Sequence, residues 1–270
     1  VSSWQGESLV GKTIFVWSEQ GLGDVVMFAS CIHSLIERKC HIILACEPRL
    51  IVLFERSFPF IQVIEEDPDN LYQALEHTLD FHCGIASLAK YLRTQLVDFD
   101  SNQSYLQVDL KLLKKWKQRY GQLKYAVNVG ISWFGGMGKL EKEKKSCALS
   151  QWLPILKQQA NFINLQYGNH QDEIDSFEKK TGVHLYDWDD ADPINDLENF
   201  AAQVKALDLV ISISNTSVHF SGALGVNTFI VLAFDQSWRW FEERNDSPWY
   251  PHVITLFRSS KYGVWEHILD

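Results

Sequence analysis

The sequence predicts an α/β fold built of two doubly wound halves, each with a parallel sheet, facing one another across a cleft. Three observations carry that expectation. Short β-branched runs alternate with amphipathic stretches almost throughout, with short loops, as parallel strands joined by helical crossovers require. The alternation falls into two series that meet near residues 110–125, which divides the chain into a Rossmann-like domain over residues 1–120 and a second over residues 121–270. The third is LDLVISISNTSVHFSGALGVNTFIVLAF, residues 207–234, where two apolar runs flank a Ser/Asn/Thr turn and a short helix of small residues. That turn sets Ser214, Asn215, Thr216 and His219 at a helix N-terminus, where unpaired N–H groups and the positive end of the helix dipole receive anions. A well-capped packing helix is the ordinary alternative.

In the first series, Thr13–Trp17 reads as a strand. A helix over residues 23–38 follows, with Val25, Phe28, Ala29, Ile32, Leu35 and Ile36 on one apolar face. His41–Cys46 is the next strand, and Pro48 suits the first turn of the helix after it. Residues 62–64 and 79–82 read as strands, residues 85–92 as a helix, and residues 110–119 as a charged amphipathic helix that Gly121 stops. The second series opens with a strand over 126–133 and a Gly- and Lys-rich loop over 134–146. Helix 150–159, strand 162–166, helix 172–180, strand 183–185, an acidic surface connection and helix 197–206 lead to the unit at 207–234. No internal repeat has a solenoid period.

The chain has 270 residues, 46% of them hydrophobic, enough for a large core, and carries a net charge of −9 with a pI near 5.5. That balance argues against nucleic acid or an anionic membrane as partner, since both demand an extended Lys/Arg face. No run is long enough to span a membrane and no signal segment opens the chain. Five cysteines, odd in number and without zinc-type spacing, read as reduced, mostly buried thiols of a cytoplasmic protein, and no metal site is expected.

Four segments hold candidate chemistry. GLGDVVMF, residues 21–28, puts Gly21, Gly23 and Asp24 at the first strand-to-helix turn. It reads as a dinucleotide fingerprint with Glu47 on the ribose, as a general base at Asp24, or as a carboxylate that merely complements the helix dipole. The glycine pattern is broken by Val26. The loop SWFGGMGKLEKEKKSC, residues 132–147, offers the N–H groups of Gly135, Gly136 and Gly138 with Lys139, Lys142, Lys144 and Lys145; it suits a diphosphate cradle or a solvated loop. The turn at 214–219 is the third. In the fourth, residues 234–251, aromatics with Arg239, Arg244 and Asp246 either line a cleft or pack the two halves together, the second being the ordinary role of buried tryptophans.

Taken together, WxGE (Trp4, Gly6, Glu7), GKTIFVWSEQGLGD, DFHC, GISWFGG, LQYG, SNTSVHFSGALG and DSPWYP, in this order and spacing, resemble the glycosyltransferase module of bacterial tetratricopeptide-repeat proteins. That module is similar to the ADP-heptose–lipopolysaccharide heptosyltransferases, which have a B-type glycosyltransferase fold. The resemblance implies an acceptor-side first domain, with Gln20, Gly21 and Gly23 at its turn and Asp24 as catalytic base. It implies a second domain for a nucleotide-sugar donor, held by Gly135, Gly136, Lys145, Ser214, Asn215, Thr216 and His219. Lys145 is placed by KSCALSQW, with Trp152 as its downstream marker, and the ribose acid falls on Asp172 or Glu173, with Glu173 favoured. No cofactor beyond the nucleotide-sugar substrate is implied, the acceptor is a glycan, a lipid-linked compound or a protein, and tetratricopeptide repeats precede this segment. Two departures stand out: Ser214-Asn215 replace the heptosyltransferases' Asp-Thr, and Phe134 stands where related modules have a basic residue. These departures keep a non-catalytic binding module open as an alternative, and the first turn keeps open a nicotinamide-dependent oxidoreductase.

Overall fold

The computed structural model describes residues 1–67, 79–99, 104–136, 146–234, 237–261 and 264–269. Two separate sheets form, and every strand pairing in them is parallel. The first comprises β1 (Ser2–Ser3), β2 (Thr13–Trp17), β3 (His41–Cys46), β4 (Gln62–Glu65) and β5 (Phe81–Gly84), in the order β1-β5-β2-β3-β4. The second comprises β6 (Asn128–Ser132), β7 (Asn161–Asn164), β8 (Leu185–Tyr186), β9 (Leu209–Ile213), β10 (Thr228–Leu232) and β11 (Ile254–Arg258), in the order β11-β10-β9-β6-β7-β8. Each order reverses beside its founding strand, between β2 and β5 and between β6 and β9. Ligands of doubly wound sheets bind outside the carboxyl ends of the strands at such reversals.

The strands are apolar because helices cover both faces; β3 and β6 are buried almost end to end. Three local expectations shift. The helix expected over 23–38 is two helices, Leu22–Phe28 and Ser30–Glu37, joined where Ile32 N–H bonds the Ala29 carbonyl three residues back. The helix expected over 150–159 is a 3₁₀ turn, Leu149–Trp152, followed by only Leu153–Leu156, with Pro154 in its first turn. β5 lies two residues further on than the pattern suggested, and β1 and β11 are additional edge strands.

One hydrophobic cluster joins the two sheets, running from Ile14, Val16 and Leu44 through Val26 and Met27 to Val218, Phe220 and Leu224. The helix Leu110–Tyr120, capped by Asp109 bonds to Lys111 and Leu112 N–H (2.7 and 3.0 Å), seats on the helix Leu197–Lys205. There Trp116 Nε1 donates to Asn199 Oδ1 at 2.9 Å. Arg119 lies 4.5 and 5.1 Å from the rings of Trp116 and Trp188 and pairs with Asp190 at 2.7 Å.

The Arg119 hydrogen bonds, with help from Lys115, hold the Asp190 carboxyl well below the usual carboxylate range. A depressed carboxyl stabilises the fold above its unfolded value of 3.8 and loses that contribution as pH falls below it. Asp190→Asn should therefore be less stable than the parent in urea at pH 7, with a gap that begins to narrow as pH falls below 3.8. A gap that stays constant with pH contradicts this reading.

Candidate functional site

The reversal in the second sheet is closed by one side chain. Asn215 caps the helix Thr216–Ala223, its Oδ1 accepting from Ser217 N–H at 3.0 Å. Its Nδ2 donates to Ser132 Oγ (2.6 Å) and to the Phe134 carbonyl (3.2 Å), tying the end of β9 to the end of β6. Gly135 follows without a side chain because a Cβ there would stand 3.1 Å from that of Asn215. Gln166, at the end of β7, braces the same loop. Its Oε1 accepts from Ser132 Oγ, Trp133 N–H and Phe134 N–H at 2.8–3.0 Å, and its Nε2 donates to the Phe134 carbonyl at 3.1 Å. Ser214 Oγ is likewise engaged, accepting from Trp240 Nε1 at 2.7 Å. The Ser-Asn turn thus spends its side chains on architecture, leaving backbone and Thr216 to face the cleft.

The first half meets this turn directly. The helix Leu22–Phe28 lies along Thr216–Ala223 so closely that a Cβ on Gly23 would be 2.8 Å from His219 Cδ2 and 3.4 Å from Thr216 Cα. A Cβ there would require the His219 ring to shift. Asp24, next in sequence, is 14% exposed and takes a two-pronged ion pair from Arg239, Nε to Oδ1 at 2.5 Å and Nη2 to Oδ2 at 2.6 Å. Arg239 is itself fixed by Ser237 Oγ (2.9 Å from Nη1) and the Trp238 ring (4.7 Å). Gln20 and Gly21 lie exposed at the mouth of this contact.

His219 is buried between the halves. Its Nδ1 shares a 2.8 Å hydrogen bond with Tyr250 Oη, and its ring stacks on Trp240 at 5.4 Å and 12°. Burial pushes the imidazole down to about 4; the Asp24 carboxylate pulls the other way, and Arg239 pushes with burial. Tyr250 reaches the imidazole because Gly222 lacks a Cβ, which would stand 2.5 Å from the phenol ring.

Two cavities open beside the turn. A small one of about 110 Å³ is lined by Leu22 and Arg49 of the first half and by Tyr167, Ile194, Thr216 and Ser217 of the second. Arg49 pairs with Glu47 at 2.6 Å and donates to the Ile194 carbonyl. A larger one of about 670 Å³ lies at the carboxyl ends of β7 and β8 and shares Pro193, Ile194 and Phe200 with the first. Asp187, Asp189 and Asp192 line it, so the acidic stretch expected to be a plain surface connection instead forms a cavity wall.

Among the expected residues, Asp24, Gly23, Thr216 and His219 converge, and Ser214, Asn215 and Gly135 build the floor beneath them. Gly136 adopts a φ of 102° in the same loop. Glu173 stands elsewhere: its oxygens accept from Trp133 Nε1 and Leu149 N–H, both at 3.0 Å, while Gln171, Ile174 and Glu178 of its helix line the larger cavity. Asp172 is exposed in the first turn of that helix. Lys145, with Gly138, Lys139, Lys142 and Lys144, lies outside the described residues. Sequence reasoning did not single out Gln166, Tyr250 or Arg49, and it left Arg239 between lining and packing. Cys31, Cys46, Cys83 and Cys147 are buried, and none of the five cysteines forms a disulfide. Among the described residues no helix is long and apolar enough to cross a membrane, and no three His, Cys, Asp or Glu side chains gather as metal ligands.

No family model matches the chain. Over 97% of its length the chain is 31% identical to protein FlbA of Caulobacter vibrioides, and it spans 46% of that protein, about half. Among solved structures it is similar to the E. coli ADP-heptose lps heptosyltransferase II, with a TM-score of 0.64 at 12% identity over 95% of this chain and 93% of that one. It is also similar to the glycosyl transferase family 9 protein of Veillonella parvula DSM 2008, with a TM-score of 0.58 at 11% identity over 94% and 88%. These likenesses establish the fold: two parallel α/β sheets in the B-type glycosyltransferase arrangement.

The position of His219 yields a pH dependence. An imidazole whose folded value is about 4 against an ordinary 6.5 contributes fully above 6.5, and the contribution is lost as pH falls from 6.5 toward 4. Its full size is on the order of 3 kcal/mol. In urea unfolding between pH 7.5 and 4, His219→Gln should show a shallower decline in stability than the parent. Parallel curves would mean the histidine titrates alike in both states.

Proposed function

We propose that the chain is an inverting, metal-independent glycosyltransferase that moves a sugar from a nucleotide-sugar donor to a hydroxyl acceptor. One observation carries this reading: the helix that bears Asp24, from one half, packs against the first turn of the helix Thr216–Ala223, from the other, with Gly23 close against Thr216 and His219. A transfer of this kind needs a proton acceptor and a diphosphate receptor a few ångströms apart on opposite walls of one cleft. The halves of a B-type fold supply one each.

In this mechanism the diphosphate of the donor docks at the first turn of the helix Thr216–Ala223, where N–H groups and helix dipole favour its charge. The nucleoside extends into the larger cavity and the sugar points toward Asp24. The acceptor hydroxyl attacks the anomeric carbon from the side opposite the diphosphate. As the new C–O bond forms, Asp24 takes the hydroxyl proton, and the bond from the anomeric carbon to the phosphate oxygen breaks with its electron pair leaving on the diphosphate. Each carboxylate oxygen has two lone pairs, so the Arg239 fork holds the group in place while one position on each oxygen stays open to the acceptor. Gly135, Gly136 and Lys145 complete the anion-binding side, and Gln20, Gly21 and Gly23 flank the acceptor approach. An adenosine diphosphate sugar is the donor of choice for trial, because the most similar fold named above is an ADP-heptose enzyme. Heptose itself has less support, since Ser214 and Asn215 stand in place of the heptosyltransferase carboxylate and are occupied. Cytoplasmic location fits five cysteines that form no disulfide.

The oxidoreductase alternative loses ground on two contacts: Glu47, its ribose ligand, is taken by Arg49, and His219 fills the space over Gly23. The non-catalytic alternative is favoured by the altered donor turn and separates from ours by experiment. Transfer from ADP-sugars, followed as ADP release with EDTA present, should fall 10²- to 10⁴-fold in Asp24→Asn, with ADP affinity changed less than threefold. Transfer at the parental rate in that variant removes Asp24 from the chemistry, and ADP binding without any turnover in the parent favours the binding module.

A further inference from the structure

The small cavity lies at the junction of the halves, between Leu22, which precedes Gly23, and Thr216 and Ser217 of the opposing helix turn. At about 110 Å³ it admits phosphoryl groups and is too small for a nucleoside, since pockets for ligands of that size run from about 300 Å³ upward. Among the described residues that line it, Arg49 is the one with a charge. The turn opposite brings none, because Ser214, Asn215 and Thr216 are neutral. Arg239, also at the junction, is occupied: its Nε and Nη2 donate to Asp24 and its Nη1 to Ser237 Oγ.

Arg49 is held in place from both halves. It stands on the 3₁₀ turn Pro48–Leu50, just beyond the carboxyl end of β3, and that turn packs on the helix Leu197–Lys205 of the second half. Its Nη1 donates across the junction to the Ile194 carbonyl, and its Nη2 donates to Glu47 Oε2 at 2.6 Å. A guanidinium carries five N–H donors, so three have no partner among the described residues. Two carboxylates face the group. Glu47 fixes its orientation, while Asp192, within reach of its charge, is turned to its own loop, accepting from Ile194 N–H, Asn195 N–H and Asn195 Nδ2. Half-buried, the cation attracts an anion more strongly than one on the open surface would.

We infer that Arg49 is a catalytic residue of the transfer, its open N–H groups contacting the diphosphate at the Thr216 turn and meeting the charge that the leaving group gains. This rests on the donor reading above. As the bond from the anomeric carbon to the phosphate oxygen breaks, its electron pair passes to the diphosphate and the acceptor's hydroxyl proton passes to Asp24. The diphosphate gains negative charge in that step, and a forked guanidinium suits two phosphate oxygens at once. Arg49 comes from the first half and the receiving turn from the second. The leaving group is therefore fully stabilised only where the two halves meet, which ties its departure to an assembled cleft.

The test is calorimetry of ADP and inorganic pyrophosphate against the full-length protein, its Arg49→Met and Arg49→Gln variants, and Arg56→Met for comparison. Arg56 also bridges the halves, pairing with Glu198 at 2.7 Å, but lines neither cavity. Either Arg49 variant should weaken both ligands about 10- to 100-fold, the loss of a charge-assisted contact. Arg56→Met should leave both within about twofold of the parent, because it breaks a bridge without touching the phosphates. Circular dichroism and the urea midpoint report that each variant folds, and if one Arg49 variant does not, the other decides. Undiminished affinity in a folded Arg49 variant, or an equal loss in Arg56→Met, overturns the inference and leaves the donor reading standing. A parent that binds neither ADP nor pyrophosphate overturns both.

Discussion

Everything in the cleft depends on the hydrogen that Gly23 carries in place of a side chain. The helices that follow β2 in one half and β9 in the other run together at that point, with 2.8 Å between a would-be Cβ and the His219 ring. The contact brings the helix that carries Asp24, at one sheet reversal, against the first turn of the helix Thr216–Ala223, at the other. Arg239 then crosses the junction to hold Asp24, and Trp240, next to it, bonds Ser214 and stacks on His219. Residues 237–240 therefore grip both turns at once. The segment is itself anchored by Arg258, whose guanidinium donates to the carbonyls of Trp240, Phe241 and Arg244.

Within this frame the changed donor turn has a structural explanation. A carboxylate at Ser214 would face Trp240 Nε1, and the amide of Asn215 bonds across the sheet reversal to β6. Both positions hold the turn to its surroundings. In the proposed transferase, recognition of the sugar would fall to the backbone of the turn, to Thr216 and to the wall contributed by the first half. Electrostatics separates the rest of the site: arginine and a helix terminus in the small cavity, carboxylates in the large one.

Much of this was legible in the residues. Strands β2 and β3 end where the apolar runs end, and the Ser-Asn-Thr turn stands between β9 and a helix N-terminus as the pattern predicts, because buried parallel strands leave their boundaries in the sequence. Where periodicity is interrupted, boundaries drifted. The residues after Trp152 look helical by spacing, yet the helix there is only one turn long. Long-range pairings were beyond reach. Asp24 and Arg239 lie 215 positions apart, and nothing local distinguishes an arginine that meets a carboxylate from one that meets solvent. Glu173, placed by its spacing from LQYG, accepts from Trp133 Nε1 and Leu149 N–H, contacts that the spacing does not reveal.

The central claim is that an anion belongs at the turn after β9, within reach of Asp24. A crystal structure of the full-length protein with ADP bound decides it most directly. The account predicts both phosphates at the N-terminal turn of the helix Thr216–Ala223, bonded to its N–H groups and on the Asp24 side of the cleft. Phosphates seated instead at Gly21 and Gly23, or on a face remote from both turns, would contradict it.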